Sequence, residues 1–294
     1  MTSSQTTPLR LHGVDHTARP TWRLRDTVAF YRDILGLPLV HVISARGWGP
    51  ETHPDFLHFF FDSGQGSTIA FFYYLGSEEP PSMDGRQRMR PLPDDHVRDA
   101  THTAWLVQSE DELKAWKKKL EDAGLEVSVE TRHEVIESIY VRDPNGYFIE
   151  FTRKLRPLGE IDALDADLTL RAAMQAEDEA RAAGGRVVHI DDIWTRKAAL
   201  LEEGMADAAR PGVRIFVPRV EEFAPLVRDA EQREDCAVTA GEHFDCIQGA
   251  GPLEFRRKTL GLKPAVWYGL FTGGVNGTIT VLDRDRVRIE PAAA

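Results

Sequence analysis

The chain has 294 residues, 42% hydrophobic and 28% charged, with a net charge of −11. That is the make-up of a globular protein long enough for two domains, or for one domain with a large appendage. An acidic chain lacks the concentrated positive field that nucleic-acid binding needs, and Lys117-Lys118-Lys119 and Arg256-Arg257-Lys258 read as solvated faces. No run reaches the roughly 18–20 apolar residues that span a bilayer. The polar stretch 1–11 lacks the apolar core of a signal peptide, so the expected address is the cytoplasm. Cys236 and Cys246 read as two ordinary thiols, not as a disulfide framework or a CxxC pair.

Along the chain, the first organising feature is a repeat. Asp15-His16-Thr17-Ala18 and Thr101-His102-Thr103-Ala104 share the triplet His-Thr-Ala. After the first comes a helical pattern over 26–35, with Val28, Phe30, Tyr31, Ile34 and Leu35 as its apolar set and Gly36 as its stop. Strands are expected at 39–44, 56–62 and 68–74, the last two joined by Gly64-Gln65-Gly66. After the second triplet comes a helix over 110–123, started by a Ser109/Glu112 capping box and stopped by Gly124. Strands follow at 126–130, 137–142 and 147–152, with Asp143-Pro144-Asn145-Gly146 as a tight turn. Each copy reads β-α-β-β-β. One such unit leaves a sheet face bare, so two copies pairing into a cupped sheet is the expected burial solution. The fold class is therefore α+β: modules over 10–76 and 98–153, then a separate α+β region over 157–294.

Aligned on their turns, the last strands of the two copies set Ala70 opposite Glu150. Alternation points Glu150 away from Ile149 and Phe151. An isolated glutamate there would face solvent. His16 and His102 begin strands lining the same cup, and two imidazoles with one carboxylate make a facial triad suited to Fe(II), and equally to Mn(II), Ni(II), Co(II) or Zn(II).

Val14-Asp15-His16, Phe30-Tyr31-x3-Leu35-Gly36-Leu37, His102 and Asp143-Pro144-Asn145-Gly146-x3-Glu150 stand in order and at the right spacing. On these, residues 10–153 resemble the vicinal-oxygen-chelate superfamily, which includes glyoxalase I, fosfomycin-resistance proteins, bleomycin-binding proteins and type I extradiol dioxygenases. The resemblance implies that His16, His102 and Glu150 are metal ligands. Ala70 at the fourth position cannot coordinate, which disfavours glyoxalase and leaves an open three-ligand site. The extradiol pattern implies a tyrosine ten residues before the glutamate, where Tyr140 stands, and a histidine ahead of it, near His133. Its catalytic histidine in the first copy falls at Ser67, a departure, and His58 on the neighbouring strand is the substitute. Both His58 and Tyr140 also suit a packed core.

The expected activity is an Fe(II)-dependent extradiol-type dioxygenase acting on a catechol-like aromatic substrate with dioxygen. The alternatives are a non-redox isomerase, lyase or thiol transferase on the same scaffold, or a metal-free aromatic-ligand-binding protein. The expected assembly is a homo-oligomer. The stretches 44–54 and 77–95, rich in Gly, Pro, Arg and Met, are candidate lids. Beyond residue 157, helices are expected at 165–183, 192–208 and 221–233. Strands are expected at 186–190, 213–217, 237–247, 253–257, 265–272 and 278–289, an order that again suggests β-α-β-β-β.

Overall fold

The structure is a computed structural model that describes residues 13–47, 52–89, 95–203, 205 and 212–292. Residues 48–51 and 90–94, parts of the two expected lids, lie outside the described residues, as do 204 and 206–208 at the end of an expected helix. Residues 1–130 and 138–153 make one compact unit, and 131–137 with 154–294 a second.

In the first unit, β1 (His16–Pro20) leads to α1 (Leu24–Val28), which continues through a wider π-helical stretch, Ala29–Ile34. Then come β2 (Leu39–Ala45), β3 (Phe56–Gly64) and β4 (Ser67–Tyr74), in the sheet order β1-β4-β3-β2. β1 runs parallel to β4, with His16 beside Thr68, and the other pairings are antiparallel. A short helix α2 (Asp95–Asp99) precedes the second copy: β5 (Thr103–Leu106), α3 (Glu110–Asp122), β6 (Thr131–Arg132), β7 (Ile136–Arg142) and β8 (Phe148–Lys154), of which β6, residues 136–137 of β7 and Lys154 count with the second unit. This sheet repeats the order as β5-β8-β7-β6, with β5 parallel to β8 and Ala104 beside Glu150.

Strand alternation sorts the side chains. Phe59, Phe61, Ile69, Phe71, Ile139, Val141, Ile149 and Phe151 pack with Phe30, Tyr31 and Leu35 of α1 and with Leu113 and Leu120 of α3 in one continuous core. Each such burial contributes about 1.5–3 kcal/mol, and the opposite sheet faces carry His58 and Ala70 in the first copy and Tyr140 and Glu150 in the second. The Ser109 hydroxyl caps α3 by accepting from the Glu112 amide at 3.1 Å.

A buried polar cluster joins the two copies. Tyr31 donates to Asp143 at 3.0 Å, Thr21 donates to Asn145 at 2.7 Å, and Asn145 donates to Thr27 at 3.0 Å. Tyr147 reaches the Pro20 carbonyl at 2.9 Å. Burial pushes the Asp143 carboxyl up, while its amide and tyrosine donors pull it down.

The second unit packs α4 (Glu160–Ala182) and α5 (Ile190–Glu202) with β9 (Val213–Pro218), α6 (Ala224–Glu231), β10 (Cys236–Thr239), β11 (Phe244–Gly249), β12 (Leu253–Arg256), α7 (Arg257–Leu260), α8 (Pro264–Tyr268), β13 (Val275–Asn276), β14 (Thr278–Leu282) and β15 (Arg286–Glu290). Its strand pairs are all antiparallel. The parallel first-to-last pairing that marks each βαβββ copy is absent among its described residues.

Several expected elements differ. The 126–130 strand is reduced to a single bridge, Val127 with Val141, because exposed Glu126 and Glu130 leave one apolar anchor. The 186–190 strand is not formed, and the chain runs into α5. The 265–272 strand is replaced by helix α8, begun by Pro264 at its first turn. Among the described residues no helix is long and apolar enough to cross a membrane.

Candidate metal centre

Glu150 is 4% exposed, and a bare carboxylate at that depth is costly. Its oxygens are met by three groups from neighbouring strands. Ser138 Oγ donates to Oε1 at 2.5 Å, Tyr140 OH donates to Oε1 at 3.3 Å, and His102 Nε2 lies 2.9 Å from Oε2. Ser138 and Tyr140 are two apart on β7, so the pleat turns both to this face. The Tyr140 ring stacks on Phe148 at 4.8 Å. Burial first, and the Glu150 charge second, raise its phenol above the ordinary tyrosine range, so it holds its proton and donates.

The other nitrogen of His102 decides what this pair can hold. Nδ1 lies 2.7 Å from the Asp99 backbone carbonyl. A carbonyl only accepts, so Nδ1 carries the proton. In the neutral ring, Nε2 then presents a lone pair to a carboxylate oxygen at 2.9 Å. Two acceptors meet at that distance only with a cation or a proton shared between them. A carbonyl-anchored histidine beside a carboxylate is a pair of donors that suits a divalent cation.

His16 does not join them. Its Nδ1 contacts Asp15 Oδ1 at 2.7 Å, and its Nε2 makes no hydrogen bond among the described residues, on a side chain 44% exposed. Among the described residues no group of three or more His, Cys, Asp or Glu is arranged to hold one ion. Of the three residues expected as ligands, the described structure brings His102 and Glu150 together and leaves His16 outside that pair. The physical reason lies at the junction of the copies. The contacts of Arg19 with Thr103, Tyr147 with Pro20 and Thr21 with Asn145 set the far end of β1 against the second sheet. His16 is four residues back, about 13 Å along the strand.

The remaining candidates separate clearly. His58 is buried on the sheet face that carries His16, their ring centres 6.4 Å apart, and it stacks on Phe72 at 3.7 Å. Burial first, then His16 and His41, lower its imidazole pKa, and its Nε2 has no hydrogen-bond partner among the described residues. Ser67, at the position expected for a histidine, donates to the Val14 carbonyl at 2.5 Å and is engaged with backbone. His133 belongs to the second unit, where it lines a cavity with Arg132 and Glu134. Ser138 and the Asp99 carbonyl escaped the sequence reading. The i, i+2 relation to Tyr140 signalled the first, and no local pattern signals the second.

Residues 13–151 match the family model described as Glyoxalase/Bleomycin resistance protein/Dioxygenase superfamily. No curated protein matches the chain. Among solved structures, a lactoylglutathione lyase from Agrobacterium tumefaciens is 23% identical, covering 49% of this chain and 95% of its own, with a TM-score of 0.33. An integron cassette protein from the mobile metagenome of the Halifax Harbour sewage outfall is 25% identical over 49% and 99%, TM-score 0.33. A fosfomycin resistance protein from Listeria monocytogenes is 18% identical over 48% and 93%, TM-score 0.33.

Proposed function

Residues 13–151 form a domain of the glyoxalase/bleomycin resistance/dioxygenase superfamily, and from that premise we propose a metal-dependent enzyme acting on a small oxygenated aromatic compound. One observation carries the reading: His102 Nε2 and Glu150 Oε2 face each other at 2.9 Å while Nδ1 is committed to a carbonyl. Fe(II) matches extradiol-type cleavage of a catechol-like ring with dioxygen, and Mn(II), Ni(II), Co(II) or Zn(II) suit the same donors. A bound cation would polarise the substrate oxygens as a Lewis acid and, as iron, give access to dioxygen.

The third ligand in this proposal is His16 from a second copy of the chain. His16 stands 44% exposed on the edge strand β1, with Nδ1 held by Asp15. A two-fold pairing of copies makes two equivalent sites, each taking His102 and Glu150 from one copy and His16 from the other. His58 travels with His16 and supplies a neutral Nε2 to take up a proton. Tyr140 donates to a substrate oxygen, Ser138 keeps the Glu150 carboxylate oriented, and Phe60 and Phe72 around His58 keep water from the proton carrier. The engagement of Ser67 with Val14 favours a second reading, a non-redox lyase, isomerase or transferase on the same ligands.

Mixing two inactive variants tests the shared site. His16→Ala and Glu150→Ala copies, unfolded together and refolded, regain about a quarter of wild-type metal-dependent activity, since half the pairs are mixed and each mixed pair keeps one intact site. No recovery sinks the shared site. Anaerobic reconstitution with Fe(II), followed by oxygen and a catechol panel, separates the chemistries. Oxygen uptake with a ring-opened product supports the dioxygenase. Metal binding without oxygen uptake on any catechol moves the reading to the non-redox class.

A further inference from the structure

A cavity of about 400 Å³ opens beside His102 in the first unit. Among the described residues its wall holds three guanidinium groups, from Arg19, Arg86 and Arg98, against one carboxylate, Asp99. That carboxylate is already committed, since Arg142 donates to its two oxygens at 2.6 and 2.8 Å. Arg86 is 4% exposed and lies 3.9 Å from Asp99. Arg19 and Arg98 have no carboxylate within ion-pair distance among the described residues. Arg19 contacts the Thr103 hydroxyl and lies over the Tyr147 ring at 5.0 Å, and Arg98 reaches only the Met83 sulfur at 3.6 Å. In a chain of net charge −11, this is a concentrated positive wall. Crowding the Arg19 and Arg98 guanidinium groups together without a carboxylate partner is unfavourable, and a ligand anion offsets it. Val97 and Phe148 complete the wall with apolar surface.

We propose that this cavity binds the anionic group of the substrate, a carboxylate or a phosphate attached to an apolar or planar body, and so sets that body beside His102. Guanidinium forks match the paired oxygens of both anions. As an assignment of substrate class, the inference rests on the reaction centre proposed above.

The test is calorimetric titration of the metal-free, chelator-treated full chain with benzoate, inorganic phosphate and benzyl alcohol. Benzoate is expected to bind, benzyl alcohol to bind at least about 10-fold more weakly, and the benzoate Kd to rise with added salt. The Arg19→Gln/Arg98→Gln double variant is expected to raise the benzoate Kd about 10-fold. The single Arg98→Gln variant, at an exposed helical position, gives a smaller rise should the double variant misfold. Competition by phosphate extends the class to phosphate-bearing compounds, and failure to compete confines it to carboxylates. Benzoate binding no tighter than benzyl alcohol, or unmoved in the folded variants, overturns the inference. Because no metal is present, that failure is distinct from a failure of His102 and Glu150 to bind a cation.

Discussion

Glu150 shows how a charged side chain is kept in an apolar strand. Its neighbours Ile149 and Phe151 enter the core, so the pleat turns it to the opposite face. Ser138, Tyr140 and His102 then replace the water it has lost. Of the three, Tyr140 makes the longest contact, at 3.3 Å, and contributes least to holding the carboxylate. Tyr140→Phe is expected to change stability by no more than about 1 kcal/mol and to leave metal content unchanged. Turnover falls by about 100-fold or more, with KM little moved, because the lost hydroxyl serves the substrate and not the ligand. Metal analysis beside steady-state kinetics checks this, and a parallel loss of metal would make Tyr140 a structural support.

At the scale of elements, the turn between β7 and β8 does more than reverse the chain. Asp143 Oδ1 accepts from the amides of Asn145 and Tyr147, each at 2.9 Å, while Asp143 and Asn145 also bind Tyr31, Thr21 and Thr27 in the first copy. Gly146 has a φ of +85°, and a Cβ there would lie 2.5 Å from the Cβ of Arg86. The missing side chain lets the segment carrying Arg86 lie against this turn. Gly146→Ala is therefore expected to destabilise the protein by roughly 1–3 kcal/mol, read as a lower urea midpoint, with weaker benzoate binding as Arg86 is pushed aside. A wild-type midpoint would mean the segment yields freely. The turn was legible as a turn from Asp-Pro-Asn-Gly alone. Its second role was not, because its partners lie more than a hundred residues away. The lost 126–130 strand and the helix at Pro264–Tyr268 have the same lesson: a short apolar run takes the form its neighbours leave for it.

For the whole molecule, the proposed site makes a relation between copies of the chain. A site that draws His16 from one copy and His102 and Glu150 from another links metal binding to association. The melting temperature of metal-loaded protein is then expected to rise with protein concentration, and chelator to weaken that dependence. A metal-loaded melting temperature independent of concentration, in protein shown to be monomeric, would return all three ligands to a single chain or remove His16 from the set.

The repeat, the two βαβββ copies and the turn of Glu150 away from Ile149 and Phe151 were readable from the order of residues. These follow from local rules: the period of two in a strand, the stop of a helix at glycine, and the chemistry of tight turns. Which side chains meet was decided by packing. Tyr31 bonding Asp143, and Tyr147 bonding the Pro20 carbonyl, lock the two copies so that His102 reaches Glu150 and His16 is carried away from both. Alternation assigns a face to a residue. The distance between two faces belongs to the core that joins them.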